Sequence, residues 1–252
     1  MMEIAQRTAS TYAFSIPLYI QLAEGLIAKI ESGELSPGEQ LPPERELSAT
    51  LGVNRMTLRR ALQVLESQGL ILRKHGVGTF IAEPKIDRSM AVVFRFTSGM
   101  LNQGFTPGTE MISFEEITAD KILAKDLAIP HSSRVYSILR LRSINQEPVM
   151  LESYKIPVER FPGLDRFDLE SQSLYEILER EYGVPINRAR QSFEPITATY
   201  FEAELLNIKY GEALMLERRL SFDAQNQPVE YGKDRYRGDR FRFVTEAKPY
   251  PL

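Results

Sequence analysis

The sequence predicts an α+β protein of two domains, a small helical one closed by a two-stranded hairpin and a larger mixed α/β one. Three observations carry this reading. Leu41 to Ile81 reads as two short helices joined at Gly52, then a hairpin with a Gly76-Val77-Gly78 tip. Residues 83–89 (EPKIDRS) are polar, contain a proline and interrupt the apolar periodicity, as a linker does. Beyond them strand-like alternation and capped helical stretches interleave. At 252 residues the chain can bury two cores, and 43% apolar with 26% charged residues is ordinary for a globular protein. The expected boundaries are an arm at 1–14, a first domain at 15–82, a linker at 83–89 and a second domain at 90–248.

In the first domain, Pro17 opens a helix whose apolar stripe is Leu18, Leu22, Leu26, Ile27 and Ile30, ending near Gly33. Ser36-Pro37-Gly38 is a turn. A second helix runs from about Pro43 to Leu51. Asn54 caps a third, with Leu58, Ala61, Leu62 and Leu65 as its buried face and Gly69 as its end. Ile71-Leu72 and Thr79-Phe80-Ile81 form the hairpin.

In the second domain, Thr97-Ser98 begins a short helix closed by Gly104, and Met111–Ile117 is a strand. Thr118 caps a helix through Ala128. Val135–Ile144 and Val149–Ile156 are strands joined at Asn145-Gln146-Glu147-Pro148. Ser173-x-x-Glu176 and Thr199-x-x-Glu202 are capping boxes for two more helices. Ala213–Phe222 and Val229–Tyr236 are strands joined through Asn226-Gln227-Pro228. The stretches RLRSINQEPVMLESY (140–154) and RRLSFDAQNQPVEYG (218–232) resemble each other, which suggests a sheet made of two related halves.

Several function classes are disfavoured. Zero cysteines exclude disulfides and thiolate metal sites, which suits a reducing cytoplasm, and His75 and His131 alone make a histidine metal site implausible. No metal and no cofactor are expected. No apolar run approaches the roughly 18 residues of a membrane span, and the opening residues lack a signal-peptide core.

The net charge of −3 argues at first against nucleic acid, but its distribution does not. Residues 55–74 hold Arg55, Arg59, Arg60, Arg73 and Lys74 against the single acid Glu66. Arg55 and Arg59, four apart, share a helix face, where arginine can bond guanine O6 and N7 together. Thr57, Arg45 and Lys74 suit phosphates. A helix presenting its N-terminus beside a basic hairpin is the layout of a winged helix-turn-helix reader of double-stranded DNA. One copy has too small a basic footprint for tight binding, so a homodimer on a roughly palindromic operator is expected.

These residues resemble the GntR family of bacterial transcription regulators, in its HutC branch. The resemblance rests on Pro17-Leu18-Tyr19-x-Gln21, Leu41-Pro42-x-Glu44-Arg45-Glu46-Leu47, Arg55-Met56-Thr57-x-Arg59-x-Ala61-Leu62, Gly69-Leu70 and Gly76-x-Gly78-Thr79-Phe80. The second domain is similar to the UTRA effector domain, with a chorismate-lyase-like fold. It matches through Arg140-x-Arg142, Glu152-Ser153, Ser173-Leu174-Tyr175 and Tyr236-Arg237-Gly238-Asp239-Arg240-Phe241-x-Phe243. The resemblance implies DNA contacts by Arg45, Arg55, Thr57, Arg59, Lys74, His75 and Gly78. The pattern is closest to that of repressors responding to amino-sugar phosphates. Three positions depart from the family: Pro43 replaces a hydroxyl residue, Val77 replaces the usual basic wing tip, and Arg95 stands where sugar-phosphate sensors carry serine.

The second site is read from strand geometry. Arg140 and Arg142 project to one face of a strand among apolar Tyr136, Ile138 and Ile144, and need an anionic partner. Glu152 on the next strand can supply part of it, which leaves open an internal salt bridge with no ligand. Arg95, Phe96 and Thr97 at a helix start favour phosphate. Glu230 and Tyr236 share a strand face and match family positions that touch sugar hydroxyls. With Ser173 and Tyr175, this set makes a polar pocket with an anion-binding end, and the family resemblance implies that its effector is a sugar phosphate or amino-sugar phosphate. A non-phosphorylated organic acid or acyl ligand is the alternative. A lyase with Glu152 and Glu230 as acid and base, and an architectural DNA-binding protein, are the remaining readings.

Overall fold

The computed structural model describes residues 16–74, 76–92 and 95–247, with Lys74 described by its backbone alone. The expected arm, His75 and the side chain of Lys74 therefore lie outside the described residues. The chain divides into two compact units between Pro84 and Lys85.

In the first unit, α1 (Leu18–Glu31) starts directly after Pro17 and buries Ala23 and Leu26. The stretch β1 (Gln40–Leu41) precedes α2 (Glu44–Thr50) and α3 (Arg55–Ser67). Gly52, at φ 64°, makes the left-handed bend between the two helices. The Asn54 side chain accepts the Thr57 N–H at 2.8 Å, capping α3 as expected. Leu58, Ala61, Leu62 and Leu65 then face Leu26, Leu41, Leu47, Ile71 and Ile81 in one core. The wing is β2 (Ile71–Lys74) with β3 (Gly78–Ile81), and β1 adds a third strand on β3 that the sequence did not suggest.

The second unit is built on a six-stranded antiparallel sheet in the order β5-β6-β7-β10-β9-β8. Its first half is β5 (Pro107–Thr118), α5 (Lys121–Asp126), β6 (Arg134–Ile144) and β7 (Glu147–Pro157). Its second half is β8 (Arg188–Thr197), α7 (Tyr200–Leu206), β9 (Ala213–Phe222) and β10 (Pro228–Arg237). Both halves run strand, short helix, strand, strand, and they meet where β7 pairs with β10. The internal similarity of the two hairpins is thus realised as two βαββ units related by a pseudo-two-fold. Leu139, Leu141, Leu151 and Leu214 pack toward α7 on one sheet face. Tyr136, Ile138, Tyr154 and Ile156 pack toward α6 (Leu174–Tyr182) on the other. The latter face also carries α4 (Phe96–Leu101) and the parallel pair β4 (Ile86–Ser89) and β11 (Phe241–Val244).

Three local expectations are corrected. Residues 83–89 are not a linker throughout: from Ile86 they form β4, which pairs with β11 and buries Ile86 and Arg88. A polar composition concealed the strand because Arg88 finds its partners across the sheet, not nearby in sequence. The helix expected from Thr118 starts at Lys121 and is capped by Asp120, whose carboxylate accepts the Leu123 N–H at 2.8 Å. Ser173 stands at the N-cap of α6 without a side-chain capping bond, whereas the Thr199–Glu202 box closes in both directions. The edge strand β8 was not anticipated, since its run of Arg188, Arg190, Gln191 and Pro195 reads as loop.

Candidate effector pocket and DNA-reading face

On the first unit, the start of α3 presents Arg55 and Met56 to solvent, and Arg45 on α2 is exposed as well. Arg59 is engaged differently from Arg55. Its Nε and Nη2 donate to Glu44 Oε2 at 3.2 and 2.9 Å, and Arg73 lies 3.6 Å from the same carboxylate and 3.2 Å from Glu66. Glu44, absent from the expected site, therefore ties α2, α3 and the wing together, and its hydrogen bond and charge raise the Arg59 pKa. At the wing tip, Gln40 Nε2 donates to the Val77 carbonyl at 3.0 Å. Gly78, at φ 149°, lies against that amide, and a Cβ there would collide with it. The tip is held so that Val77 is 63% exposed. Gly78 thus serves the shape of the wing, and Thr57 gives its backbone N–H to the Asn54 cap.

On the second unit, Arg95, Phe96, Thr97, Arg140, Arg142, Glu152, Ser173 and Tyr175 surround one small pocket together with Tyr154 and Leu174. Alternation along β6 aims Arg140 and Arg142 at the α6 side, and the β6–β7 register sets Arg140 opposite Glu152. Arg140 donates to Glu152 Oε2 through Nε at 3.0 Å and Nη2 at 2.6 Å, and through Nη1 to the Leu169 carbonyl at 2.7 Å. Tyr154 OH donates to Glu152 Oε1 at 2.6 Å. Arg142 lies 3.8 Å from Glu152, donates to Thr97 Oγ1 at 2.8 Å and stands 4.3 Å over the Phe96 ring. Its Nε is buried with no hydrogen-bond partner among the described residues. Burial pushes the Glu152 carboxyl up, but Arg140 and Arg142 outweigh it and hold it at about 2. Burial and the neighbouring Arg140 push Arg142 down, against the pull of Glu152. Two guanidiniums thus share one carboxylate, and the pocket carries a surplus of positive charge.

Arg95 spans from the start of α4 to α6, donating to Glu179 Oε2 at 3.0 Å. Its charge is therefore matched at the rim and not directed inward. Glu230 lies behind the pocket wall. Its Oε1 accepts Tyr175 OH at 2.9 Å, Ser221 Oγ at 2.6 Å and Arg219 Nε at 2.9 Å. Glu230 Oε2 and Arg219 Nη2 have no hydrogen-bond partner among the described residues, and both face the bare backbone of Gly232. Tyr236 shares the β10 face with Glu230, as expected, but the structure does not bring it to the pocket. Its hydroxyl donates to Glu217 Oε2 at 2.8 Å and accepts from Arg88 Nε at 3.1 Å.

Residues absent from the expected site extend this polar row. Arg219 donates from Nη1 to Asp234 Oδ2 at 2.6 Å and lies 3.6 Å from Glu217. Arg88 Nη2 holds both Glu217 oxygens at 2.9 and 2.8 Å. Burial pushes Asp234 up to about 7 against the pull of Arg219. The signal available in sequence was Glu217-x-Arg219-x-Ser221, three polar side chains on one face of a strand.

Comparison with known proteins agrees with both halves. Residues 18–81 match the bacterial regulatory proteins of the gntR family, and residues 102–242 match the UTRA domain. The chain is 38% identical over 229 residues to the HTH-type transcriptional repressor NagR of Bacillus subtilis, covering 91% of this chain and 94% of that protein. It is 29% identical over 226 residues to the histidine utilization repressor of Klebsiella aerogenes, covering 90% and 92%. The crystal structure of PhnF from Mycobacterium smegmatis superposes with a TM-score of 0.65 at 29% identity, over 90% of this chain and 99% of that one. A reading helix, a wing and a small polar pocket on separate units, together with these matches, make this chain a member of the gntR family in its HutC branch: a transcription repressor whose DNA binding a ligand controls through a UTRA domain.

Proposed function

We propose that the controlling ligand is a phosphorylated sugar or amino sugar, bound with its phosphate on Arg140 and Arg142 and its hydroxyls toward Glu230. One observation carries this: the buried Arg142 guanidinium shares Glu152 with Arg140 and keeps an unmatched Nε. An incoming anion removes the cost of that buried surplus charge. The unmatched Glu230 Oε2 and Arg219 Nη2, an acceptor beside a donor, suit a hydroxyl. The free space among the pocket side chains, about 10 Å³, holds one water molecule at most. Ligand entry therefore moves Phe96, Thr97 or Tyr175, and such movement is what a ligand-controlled switch requires.

The same reading includes a homodimer on a two-fold operator, since one recognition helix, with Arg55, Arg59 and Arg60 exposed on it, has too little contact for specific affinity. The chain binds its ligand without turning it over: a Glu152 carboxyl held at about 2 is a poor proton acceptor at neutral pH. No described helix is long and apolar enough to cross a membrane, and the protein acts in the cytoplasm, where its operator is.

The test is thermal shift with hexose phosphates, hexosamine phosphates, their unphosphorylated parents, organic acids and fatty acyl compounds. A true effector at about 100 times its dissociation constant stabilises by about 2.7 kcal/mol. For a domain of this size that is about 5–10 °C. A larger shift from an acyl compound than from any sugar phosphate overturns the reading.

A further inference from the structure

The pseudo-two-fold relates Arg140 on β6 to Arg219 on β9, since both follow the start of their strand by the same number of residues. In the first half, the space over this arginine is the effector pocket, walled by α4 and α6. In the second half, the corresponding face is covered by β4 and β11, and Arg88 of β4 fills it. Arg88 is fully buried among the rings of Phe193, Tyr236 and Phe243, at 5.4 to 5.6 Å from their centroids, with its charge on Glu217. The strand that carries Arg88 is also the first element of the second unit, entered at Lys85 directly from the DNA-reading unit.

A continuous buried row joins the two. Tyr175 at the pocket wall bonds Glu230, Glu230 bonds Arg219, Arg219 faces Glu217, and Glu217 holds Arg88. Four arginines (88, 140, 142 and 219) stand against four acids (152, 217, 230 and 234) along this face, all of them buried. Charges in such a row share partners, so displacing one member changes what its neighbours must satisfy.

We propose that Arg88 and Arg219 are positioning residues of the response: occupancy of the pocket acts on strand β4, and through it on the connection to the DNA-reading unit, by way of the row Tyr175–Glu230–Arg219–Glu217–Arg88. The proposal rests on the effector reading of the pocket. Its physical basis is that an effector hydroxyl seated between Glu230 Oε2 and Arg219 Nη2 draws these two groups onto itself and strains the Arg219 Nε bond to Glu230 Oε1. Arg219 then turns toward Glu217 and Asp234, and the hold of Glu217 on Arg88 weakens. Covalent continuity of β4 with the preceding unit makes the hold on Arg88 a determinant of where the second unit grips the chain.

The test needs neither ligand nor operator. Hydrogen exchange is followed in the full chain at the amides of Ile86 and Met90, which bond the carbonyls of Arg240, just before β11, and of Val244 at its end. Wild type, Tyr175→Phe, Arg88→Lys and the double variant are compared, with the Ala203 amide of α7, on the other sheet face, as reference. Arg88→Lys is expected to speed exchange at β4 at least about tenfold, as for a weakened buried pair. Tyr175→Phe, which touches neither strand, is expected to speed it about threefold without moving the reference. The double variant is expected to differ from the product of the two single effects by about threefold or more, because members of one network do not act independently. Multiplicative effects within a factor of about two, or equal acceleration at the reference amide, overturn the proposal. Should Arg88→Lys fail to fold, Glu217→Gln takes its place in the same cycle. No ligand being present, a negative result here leaves the effector reading standing, and a failed thermal-shift screen leaves the coupling standing.

Discussion

Replacing Glu152 by Gln probes the charge balance on which the pocket depends. The carboxylate takes two bonds from Arg140, lies 3.8 Å from Arg142 and accepts from Tyr154. It is buried, as are both guanidiniums. Against its ordinary value of 4.5, the Glu152 carboxyl is held at about 2. At about 1.36 kcal/mol per unit, that difference corresponds to roughly 3 kcal/mol of stability at pH 7. Removal of one partner from a buried ion pair costs about 3–5 kcal/mol, which agrees. The folded pKa is depressed, so this stability is complete above pH 4.5 and is lost as pH falls toward 2. The expected outcome is a Glu152→Gln protein less stable by about 3 kcal/mol at pH 7, with the deficit shrinking to roughly 1–2 kcal/mol at pH 3. Guanidinium denaturation followed by circular dichroism measures it, with the second unit's transition fitted separately because two units need not unfold together. A deficit below about 1 kcal/mol at pH 7, or one unchanged at pH 3, would show that the carboxylate is not the counter-charge of both arginines.

Two further substitutions test other parts of the molecule. Asp234, pushed up to about 7, retains its proton between about pH 4 and 7 where the unfolded chain has released it, so its contribution makes stability fall as pH rises through that window. Asp234→Asn should flatten this fall, and parallel stability profiles for the two proteins would show that Asp234 is ionised throughout. In the DNA-reading unit, Asn54→Ala removes the side-chain acceptor for the Thr57 N–H and should cost about 1 kcal/mol. Unchanged melting of that unit would mean solvent replaces the cap without loss.

The sequence by itself determined the elements whose signals are local. The Asn54 cap, the Leu58–Leu65 stripe, the Gly52 bend and the Thr199–Glu202 box involve residues within a few positions of one another, so their physics is complete in a short window. Strand alternation likewise puts Arg140 and Arg142 on one face, with Glu152 on the neighbouring strand. The tertiary structure decided whatever depended on partners distant in the chain. Lys-Ile-Asp-Arg at 85–88 reads as linker until Glu217, more than a hundred residues later, receives the Arg88 charge and β11 supplies the ladder. The bond from Arg95 to Glu179 at the rim and that from Arg59 to Glu44 likewise join residues on different elements, which no short window of sequence reveals. Tyr236 and Glu230 share a strand face, but six residues of strand separate them by about 20 Å, and only the elements packed above each decide that one meets Tyr175 and the other Arg88. A buried charge is settled by whichever opposite charge the fold brings to it, and that choice is made by the packing of sheet and helices, not by the neighbours of the residue in the chain.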